Sequence, residues 1–264
     1  MKYLKKIILK ALDKFKYILI KKNSYHSFKT AHNKHLKHMD HLYKKLIKIE
    51  NPIIFDVGAN LGGSIKLFKK QYSKSKIYSF EPVRESFNKI KLQFSENKDI
   101  NIYNFAVGQK VEKKFLNIYE YGGHSSFFKK IKDTRWEKKN NQSYIKERNK
   151  FKLEEKKIEV EMITLDNFCE NYKIDYIDFL KIDTQGYEKF VLEGAQNLLK
   201  NRKIKIIKLE MIFSEIYEKS ASFYDIEGYL HDNYKLISIN NFGNTIDDIN
   251  FSCEVIYVLK NYSF

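Results

Sequence analysis

From Pro52 onward, short apolar runs alternate with stretches in which apolar residues recur every three or four positions. The short runs are rich in Ile, Phe, Tyr and Val, which is typical of strands, and the longer stretches have the period of a helix. Strands are predicted near residues 53–57, 76–80, 101–106, 177–183, 204–210, 234–239 and 254–259. Helices are predicted near residues 62–72, 84–96, 187–200 and 222–232. The alternation predicts an α/β fold with a doubly wound, mostly parallel seven-stranded sheet.

A long insertion, residues 109–172, separates the third and fourth of these strands. It contains two strand-like runs, KKFLNIY and KKIEVEMI, on either side of a charged stretch with helical character. The chain has only two prolines, and no Ser/Gly-rich linker interrupts residues 52–264. We therefore predict one domain over residues 51–264, preceded by a helical extension over residues 1–50.

The extension begins, in residues 1–22, with apolar residues at helical spacing that are flanked by Lys. Lys and Asp interrupt the apolar residues too often for a transmembrane span or a signal peptide. Such a basic stripe can lie on an anionic membrane surface, or it can pack against the main domain or a second subunit. In the segment that follows, histidines recur every third residue from His32 to His41. That spacing spreads them around a helix, so no metal site is predicted.

The net charge of +16 raises the question of a nucleic-acid partner, but 45 of the 49 basic residues are Lys. Arg makes the bidentate contacts that nucleic-acid sites favour, and the chain has only four. Residues 1–50 carry +11 of the total, so the basicity belongs mainly to the extension and no nucleic-acid partner is expected. Cys169 and Cys253 form no disulfide framework or metal-ligand motif, which favours a reducing compartment such as the cytoplasm.

The most informative segment is IIFDVGANLGG, in which an apolar run reaches Asp56 and is followed by Gly58, Gly62 and Gly63. In a doubly wound sheet, the turn after the first strand lies at the ligand site, and glycines let the backbone turn sharply and approach a ligand. The spacing D-x-G-x-x-x-G differs from the G-x-G-x-x-G that binds a dinucleotide pyrophosphate. An acid beside exposed amides suits a ligand that carries an ammonium and a carboxylate.

A second acid, Glu81, follows the next predicted strand in KIYSFEP, where a carboxylate can accept both hydroxyls of a ribose. Asp56, the glycine turn and Glu81 occur in this order on consecutive strands. They predict a ligand with an amino-acid end and a ribose, which describes S-adenosylmethionine. An NAD-dependent oxidoreductase of similar architecture is an alternative that the glycine spacing disfavours. A binding module that recognises the cofactor without catalysis is a further alternative.

Five segments of the chain are distinctive when taken together: FDVGANLGG, YSFEP, NFAVG, ITLDNF and IDFLKIDTQGYEKFVLEGAQNLL. They resemble the motifs of the FkbM family of methyltransferases, and the resemblance extends from about Ile53 to Lys260. The resemblance implies a Rossmann-like class I methyltransferase fold and S-adenosylmethionine as cofactor, with Asn60 and Ala106 as further cofactor-binding residues. It also implies O-methylation of a hydroxyl group on a sugar, glycan, lipid or secondary metabolite. Gln185 stands where the family often has Glu, which removes a carboxylate from the motif.

Three residues are candidates for the base that removes a proton from an acceptor hydroxyl: Asp183, His124 and Glu210. Asp183 ends the fourth predicted strand and is also predicted to contact the cofactor, unless it only caps the following helix. His124 lies in the glycine-flanked loop YGGHSSFF, which is equally typical of a surface hairpin. Glu210 ends the fifth strand and is placed to meet Asp183 across the cleft. Lys181 is a candidate for binding an acceptor carboxylate or phosphate.

We expect a small-molecule or glycan acceptor and no metal. A nucleic-acid methyltransferase that uses the basic extension is the alternative, but base methylation needs an aromatic clamp that DTQGY does not resemble. We expect the protein in the cytoplasm, with peripheral membrane contact through residues 1–22 if the basic stripe binds lipid.

Overall fold

The structure is a computed structural model that describes residues 41–119, 125–135, 156–213, 216–240, 245–246 and 249–264. The chain divides into two compact units, Met1–Leu46 and Ile47–Phe264. In the first unit, residues 41–46 are helical, and residues 1–40, with the amphipathic stripe, lie outside the described residues. The predicted domain division at residue 50 stays a prediction. Among the described residues, the helices lack the length and the apolar composition of a membrane-spanning segment.

Seven strands of the second unit form the central sheet: β1 (Ile53–Val57), β2 (Lys76–Phe80), β3 (Ile100–Tyr103), β7 (Ile177–Ile182), β8 (Ile204–Ile212), β9 (Tyr234–Asn240) and β12 (Ser252–Leu259). Their order is β3-β2-β1-β7-β8-β12-β9. The first five of these strands in the order are parallel, and β12 is antiparallel to both of its neighbours. The direction in which strands are added reverses between β1 and β7. The predicted doubly wound, mostly parallel seven-stranded sheet is confirmed.

The helices with described bounds in this unit are α1 (Gly63–Gln71), α2 (Arg84–Gln93), α3 (Leu165–Asn171), α4 (Glu188–Glu193), α5 (Gln196–Lys200) and α6 (Phe223–Leu230). The helix predicted near residues 187–200 is divided into α4 and α5. A Cβ at Gly194 would lie 2.0 Å from the Gly108 carbonyl oxygen, so two backbone segments meet closely at the division. Helix α3 was not predicted, although Thr164 caps it by accepting a hydrogen bond from the Asn167 N–H.

The central strands are buried on both faces because helices pack on each side of the sheet. Phe68 of α1 contacts Phe179 of β7, and Phe168 of α3 contacts Phe55 of β1, which lies on the other face. All six residues of β7 are buried. A strand with two buried faces has a continuous apolar run, which explains why IIFDV and IDFLKI were recognisable in the sequence.

A smaller sheet of order β4-β6-β5 consists of β4 (Ala106–Val107), β5 (Glu112–Ile118) and β6 (Lys156–Ile163). The strand predicted near residues 101–106 therefore belongs to two sheets, because the chain leaves the central sheet after β3 and then pairs with β6. β5 and β6 contain the two strand-like runs of the insertion and pair antiparallel. The charged stretch between them, with its predicted helix, lies largely outside the described residues. A short antiparallel pair, β10 (Thr245–Ile246) and β11 (Ile249–Asn250), precedes β12.

Candidate active site

The turn after β1 joins the carboxyl ends of three neighbouring strands. The N–H groups of Gly58 and Ala59 both donate to the Phe80 carbonyl oxygen at the end of β2, at 3.0 and 3.1 Å. Gly58 has a φ of +84°, and a Cβ there would lie 2.0 Å from the carbonyl oxygen of Asp183, which follows β7. Glycine is therefore required at this position by the backbone conformation and by the close approach of two strand ends.

Gly62 also has a left-handed φ, of +77°, but its surroundings differ from those expected. A Cβ there would lie 2.8 Å from the ring of Phe94, so the glycine makes room for an aromatic side chain. Gly62 does not line the pocket described below. Contact of Gly62 with the cofactor stays a prediction.

Asp56 and Lys181 form a buried ion pair, here called the Asp56–Lys181 pair. Asp56 Oδ1 accepts from Lys181 Nζ at 3.0 Å, and Asp56 Oδ2 accepts from Ser79 Oγ at 3.3 Å. The side chains of Asp56 and Lys181 are 0% and 9% exposed. Lys181 Nζ also donates to the Gly58 carbonyl oxygen at 3.2 Å and lies 3.6 Å from Asp183 Oδ2. Both charges are thus paired inside the protein, and the expected contacts of Asp56 with the cofactor and of Lys181 with an acceptor anion stay predictions.

Glu81, directly after β2, turns its carboxylate back toward the glycine turn. Oε2 accepts from the Asn60 N–H at 2.7 Å, and Oε1 accepts from the Val83 N–H at 2.9 Å. Burial raises the pKa of Glu81 to about 7, and the two backbone hydrogen bonds partly offset this effect. The carboxylate is held in one orientation at the pocket, and each oxygen keeps a further lone pair for a ligand hydroxyl.

Asp183, Gln185, Glu210 and Tyr217 form a second hydrogen-bonded group, here called the acid–amide cluster. Gln185 Nε2 donates to Asp183 Oδ1 at 2.9 Å and to Glu210 Oε2 at 3.3 Å. The Tyr217 hydroxyl donates to Gln185 Oε1 at 2.9 Å. The Asp183 side chain is 42% exposed and lines the pocket, whereas Glu210 is not a lining residue. Glu210 therefore meets Asp183 through an amide, and not across the cleft as predicted.

Burial and the carboxylates of Asp183 and Glu188 raise the pKa of Glu210 to about 8. Glu188 is the first residue of α4, and its Oε1 accepts from the Thr184 N–H at 2.9 Å and the Gly186 N–H at 3.2 Å. Burial raises the pKa of Glu188 to about 7. The N-cap of α4 has no side-chain hydrogen bond, so Asp183 is not its cap. Glu188 was not singled out from the sequence, although an acid in the first turn of a helix often accepts hydrogen bonds from the preceding loop.

A pocket with about 630 Å³ of empty space, part of it open to solvent, lies where β1, β2 and β7 end. Five of the predicted cofactor-binding residues line it: Gly58, Asn60, Glu81, Ala106 and Asp183. In the described part of the lining, the charged side chains are both carboxylates, those of Glu81 and Asp183, and the other lining residues are polar or apolar. No cluster of three or more His, Cys, Asp or Glu side chains suited to a metal ion occurs in the described part of the chain.

The insertion supplies one wall of this pocket through Leu116, Ser125 and Phe127. Ser126 joins that wall to the acid–amide cluster, because its Oγ donates to the Gln185 carbonyl oxygen at 2.7 Å. Sequence reasoning noted Ser126 only as part of the loop YGGHSSFF and did not single out Tyr217, because the roles of both depend on contacts between distant segments. His124 lies outside the described residues, so its role as a base stays a prediction.

Comparison with known proteins gives a family match and several relatives. Residues 56–236 match the model of the methyltransferase FkbM domain. Methyltransferase sdnD of Sordaria araneosa is 25% identical over 173 residues, which cover 59% of this chain and 65% of sdnD. The 2-O-methyltransferase NoeI of Sinorhizobium fredii is 22% identical over 173 residues, which cover 66% of this chain and 68% of NoeI. The chain thus spans about two thirds of the length of these curated relatives.

Among solved structures, the methyltransferase FkbM from Methylobacillus flagellatus is 12% identical to this chain, with a TM-score of 0.46. The superposition covers 79% of this chain and 44% of the other.

Proposed function

Because the chain belongs to the FkbM methyltransferase family, we propose that it transfers a methyl group from S-adenosylmethionine to a hydroxyl group of a sugar or glycan. The observation that carries the proposal is the pocket at the ends of β1, β2 and β7, where Glu81 and Asp183 present carboxylates at the switch point of the sheet. The name of NoeI, a 2-O-methyltransferase, supports hydroxyl oxygen as the acceptor atom.

The residues that line the pocket suit S-adenosylmethionine in their chemistry. The Glu81 carboxylate is held by the Asn60 and Val83 N–H groups in a position to accept hydrogen bonds from ribose hydroxyls. Apolar residues beside it, Val83 and Phe105, suit an adenine ring. The carboxylates of Glu81 and Asp183 attract a ligand with a positively charged sulfur and an ammonium.

S-adenosylmethionine supplies a methyl group on a sulfonium, which is already a good leaving group. The protein must then position the acceptor and take up its proton. Held in this pocket, the cofactor would give up its methyl group to the acceptor oxygen and leave as the neutral thioether, and a base on the protein would take up the hydroxyl proton. Asp183 is our candidate for this base, because its half-exposed carboxylate lies in the pocket and Lys181 and Gln185 fix its orientation.

A transfer assay tests the proposal. The protein is incubated with methyl-labelled S-adenosylmethionine and a panel of methyl glycosides, each with one free hydroxyl, with the fully O-methylated glycosides as matched blocked controls. We expect label on at least one free-hydroxyl glycoside and none on the blocked controls. Binding of S-adenosylmethionine without transfer to any glycoside would contradict the sugar acceptor, and failure to bind it would contradict the whole proposal.

The proposal also includes expectations about partners and about location in the cell. We expect no nucleic-acid partner and a cytoplasmic site of action. Peripheral membrane contact through residues 1–22 stays a prediction, because those residues lie outside the described part of the chain.

A further inference from the structure

Gln185 occupies an unusual backbone position between β7 and α4. Its φ is 56°, in the left-handed region that residues other than glycine rarely adopt. The Ser126 hydroxyl donates to its carbonyl oxygen at 2.7 Å, and the Phe128 N–H in turn donates to Ser126 Oγ at 3.1 Å. Residues in such conformations persist where the surrounding contacts determine them, and they are concentrated at functional sites. Here the contacts come from the insertion wall of the pocket.

The side chain of Gln185 uses both ends of its amide. The NH2 group carries two N–H donors, and these face Asp183 Oδ1 at 2.9 Å and Glu210 Oε2 at 3.3 Å. A carboxylate at this position would have no donor for either acid. We propose that Gln185 is a positioning residue, whose amide holds the Asp183 and Glu210 carboxylates together beside the pocket and so orients Asp183 toward an acceptor hydroxyl.

The two acids and Tyr217 fit one orientation of the amide. An amide can in principle be turned so that its oxygen and nitrogen exchange places. In that orientation Gln185 Oε1, an acceptor, would face the oxygens of Asp183 and Glu210, which disfavours it. The Tyr217 O–H donates to Oε1 at 2.9 Å, and burial, with Glu210 nearby, raises the pKa of Tyr217, so the hydroxyl keeps its proton. Tyr217 therefore adds a hydrogen bond to the orientation in which the amide donates to both acids.

The amide also affects the proton on Glu210. That carboxyl group faces Asp183 after β7, Glu188 in α4, and Glu254 and Ser252 in β12. The three acids favour the protonated form, whereas the Ser252 hydrogen bond favours the ionised one. The N–H of Gln185 favours the ionised form as well, since it donates to a carboxylate oxygen. Removal of the amide is therefore expected to raise the pH at which Glu210 loses its proton.

This inference rests on the proposed function, but its test does not use the cofactor or an acceptor. Glu carboxyl carbons are labelled with 13C, the Glu210 resonance is identified by its loss in Glu210→Gln, and its titration midpoint is measured by NMR. We expect a midpoint near 8 in the wild type. In Gln185→Met it should rise by about one pH unit, which corresponds to one lost hydrogen bond to a charged group.

Three further variants complete the experiment. Gln185→Glu keeps the shape and adds a third carboxylate, so the midpoint should rise at least as far as in Gln185→Met. Tyr217→Phe should raise the titration midpoint of Glu210 by less than Gln185→Met does, because the Gln185 amide is kept but can turn. Gln93→Glu, on the exposed side of α2, is the matched charge control and should leave it unchanged.

Equal midpoints in the wild type and in both Gln185 variants would overturn the inference. If the wild type instead fails to bind S-adenosylmethionine in a separate calorimetric titration, the proposed function is wrong, while the NMR result still decides whether the amide holds the two acids.

Discussion

Two groups of charged side chains lie at the same edge of the central sheet, and they are held together in opposite ways. In the Asp56–Lys181 pair, a carboxylate with no exposed surface is matched by an ammonium. In the acid–amide cluster, two carboxylates share the neutral amide of Gln185, and one of them, Asp183, is 42% exposed. Buried opposite charges stabilise one arrangement only while both are present, whereas a group of acids that is only partly neutralised responds to pH and to ligands. The first group holds strand ends together, and the second faces the pocket.

The largest effect is expected from breaking the Asp56–Lys181 pair. Lys181→Met would leave Asp56 fully buried without its cation, which typically destabilises a protein by about 3–5 kcal/mol. Denaturant unfolding gives the free energy of unfolding directly. Lys89→Met is the matched control, because it removes an exposed partner of Glu85 and should change the free energy by less than about 0.5 kcal/mol. Similar losses in the two variants would mean that the buried pair does not hold the strand ends.

The corresponding change in the second group should affect catalysis more than folding. Asp183→Asn keeps the size of the side chain but removes the proposed base, so the rate of methyl transfer should fall by about 10²–10⁴-fold. The rate is measured at saturating cofactor, and cofactor affinity and melting temperature are followed separately. Asp99→Asn, at an exposed acid, should keep the wild-type rate. A near-normal rate in Asp183→Asn would move the role of base to His124 or Glu210.

Glu81 lies on the pocket side, so its removal should weaken cofactor binding. Glu81→Ala should lower the affinity for S-adenosylmethionine by about 1–3 kcal/mol, through loss of charge-assisted hydrogen bonds to ribose. In the wild type, the affinity should fall as the pH is lowered through about 7, because the buried carboxyl then gains a proton. Calorimetry at pH 6 and pH 8 measures both effects, with the exposed Glu85→Ala as control. If the affinity of Glu81→Ala for S-adenosylmethionine still depends on pH in the same way, another group causes the dependence.

The smallest expected effect concerns the stability of the acid–amide cluster. Glu210 has a raised pKa in the folded protein, so its contribution to stability is complete below its ordinary pKa and is lost as the pH rises through about 8. Glu210→Gln lacks this loss and should gain about 1 kcal/mol relative to the wild type between pH 7 and pH 9. The exposed Glu96→Gln serves as control. An unchanged difference in free energy of unfolding between Glu210→Gln and the wild type across this range would show that Glu210 does not titrate near pH 8.

The features that sequence reasoning identified are those with a local signal. The strands with two buried faces have continuous apolar runs, and the glycine turn with Gly58 follows from backbone conformation. Glu81 was identified because it directly follows a strand, where ligand-binding side chains of parallel sheets are found. Asp183 satisfies the same condition at the end of β7.

The features that were missed or corrected depend on register between distant segments. Asp56 lies opposite Ser79 on β2 and opposite Lys181 on β7, and these neighbours, far away in the sequence, determine that it is buried and paired. Nothing in the segment around Asp56 indicates that partner. From the sequence, Gln185 was noted only because it replaces a carboxylate. The role of its two N–H donors could not be seen there, because one of their acceptors, Glu210, lies on another strand.

We expect the pocket beside Glu81 and Asp183 to bind S-adenosylmethionine and not a dinucleotide. The decisive experiment is calorimetric titration of the wild-type protein with S-adenosylmethionine and, in parallel, with NADH. We expect saturable binding of one S-adenosylmethionine per chain and no measurable binding of NADH. Binding of NADH, or no heat with S-adenosylmethionine at pH 8, where Glu81 is ionised, would contradict it.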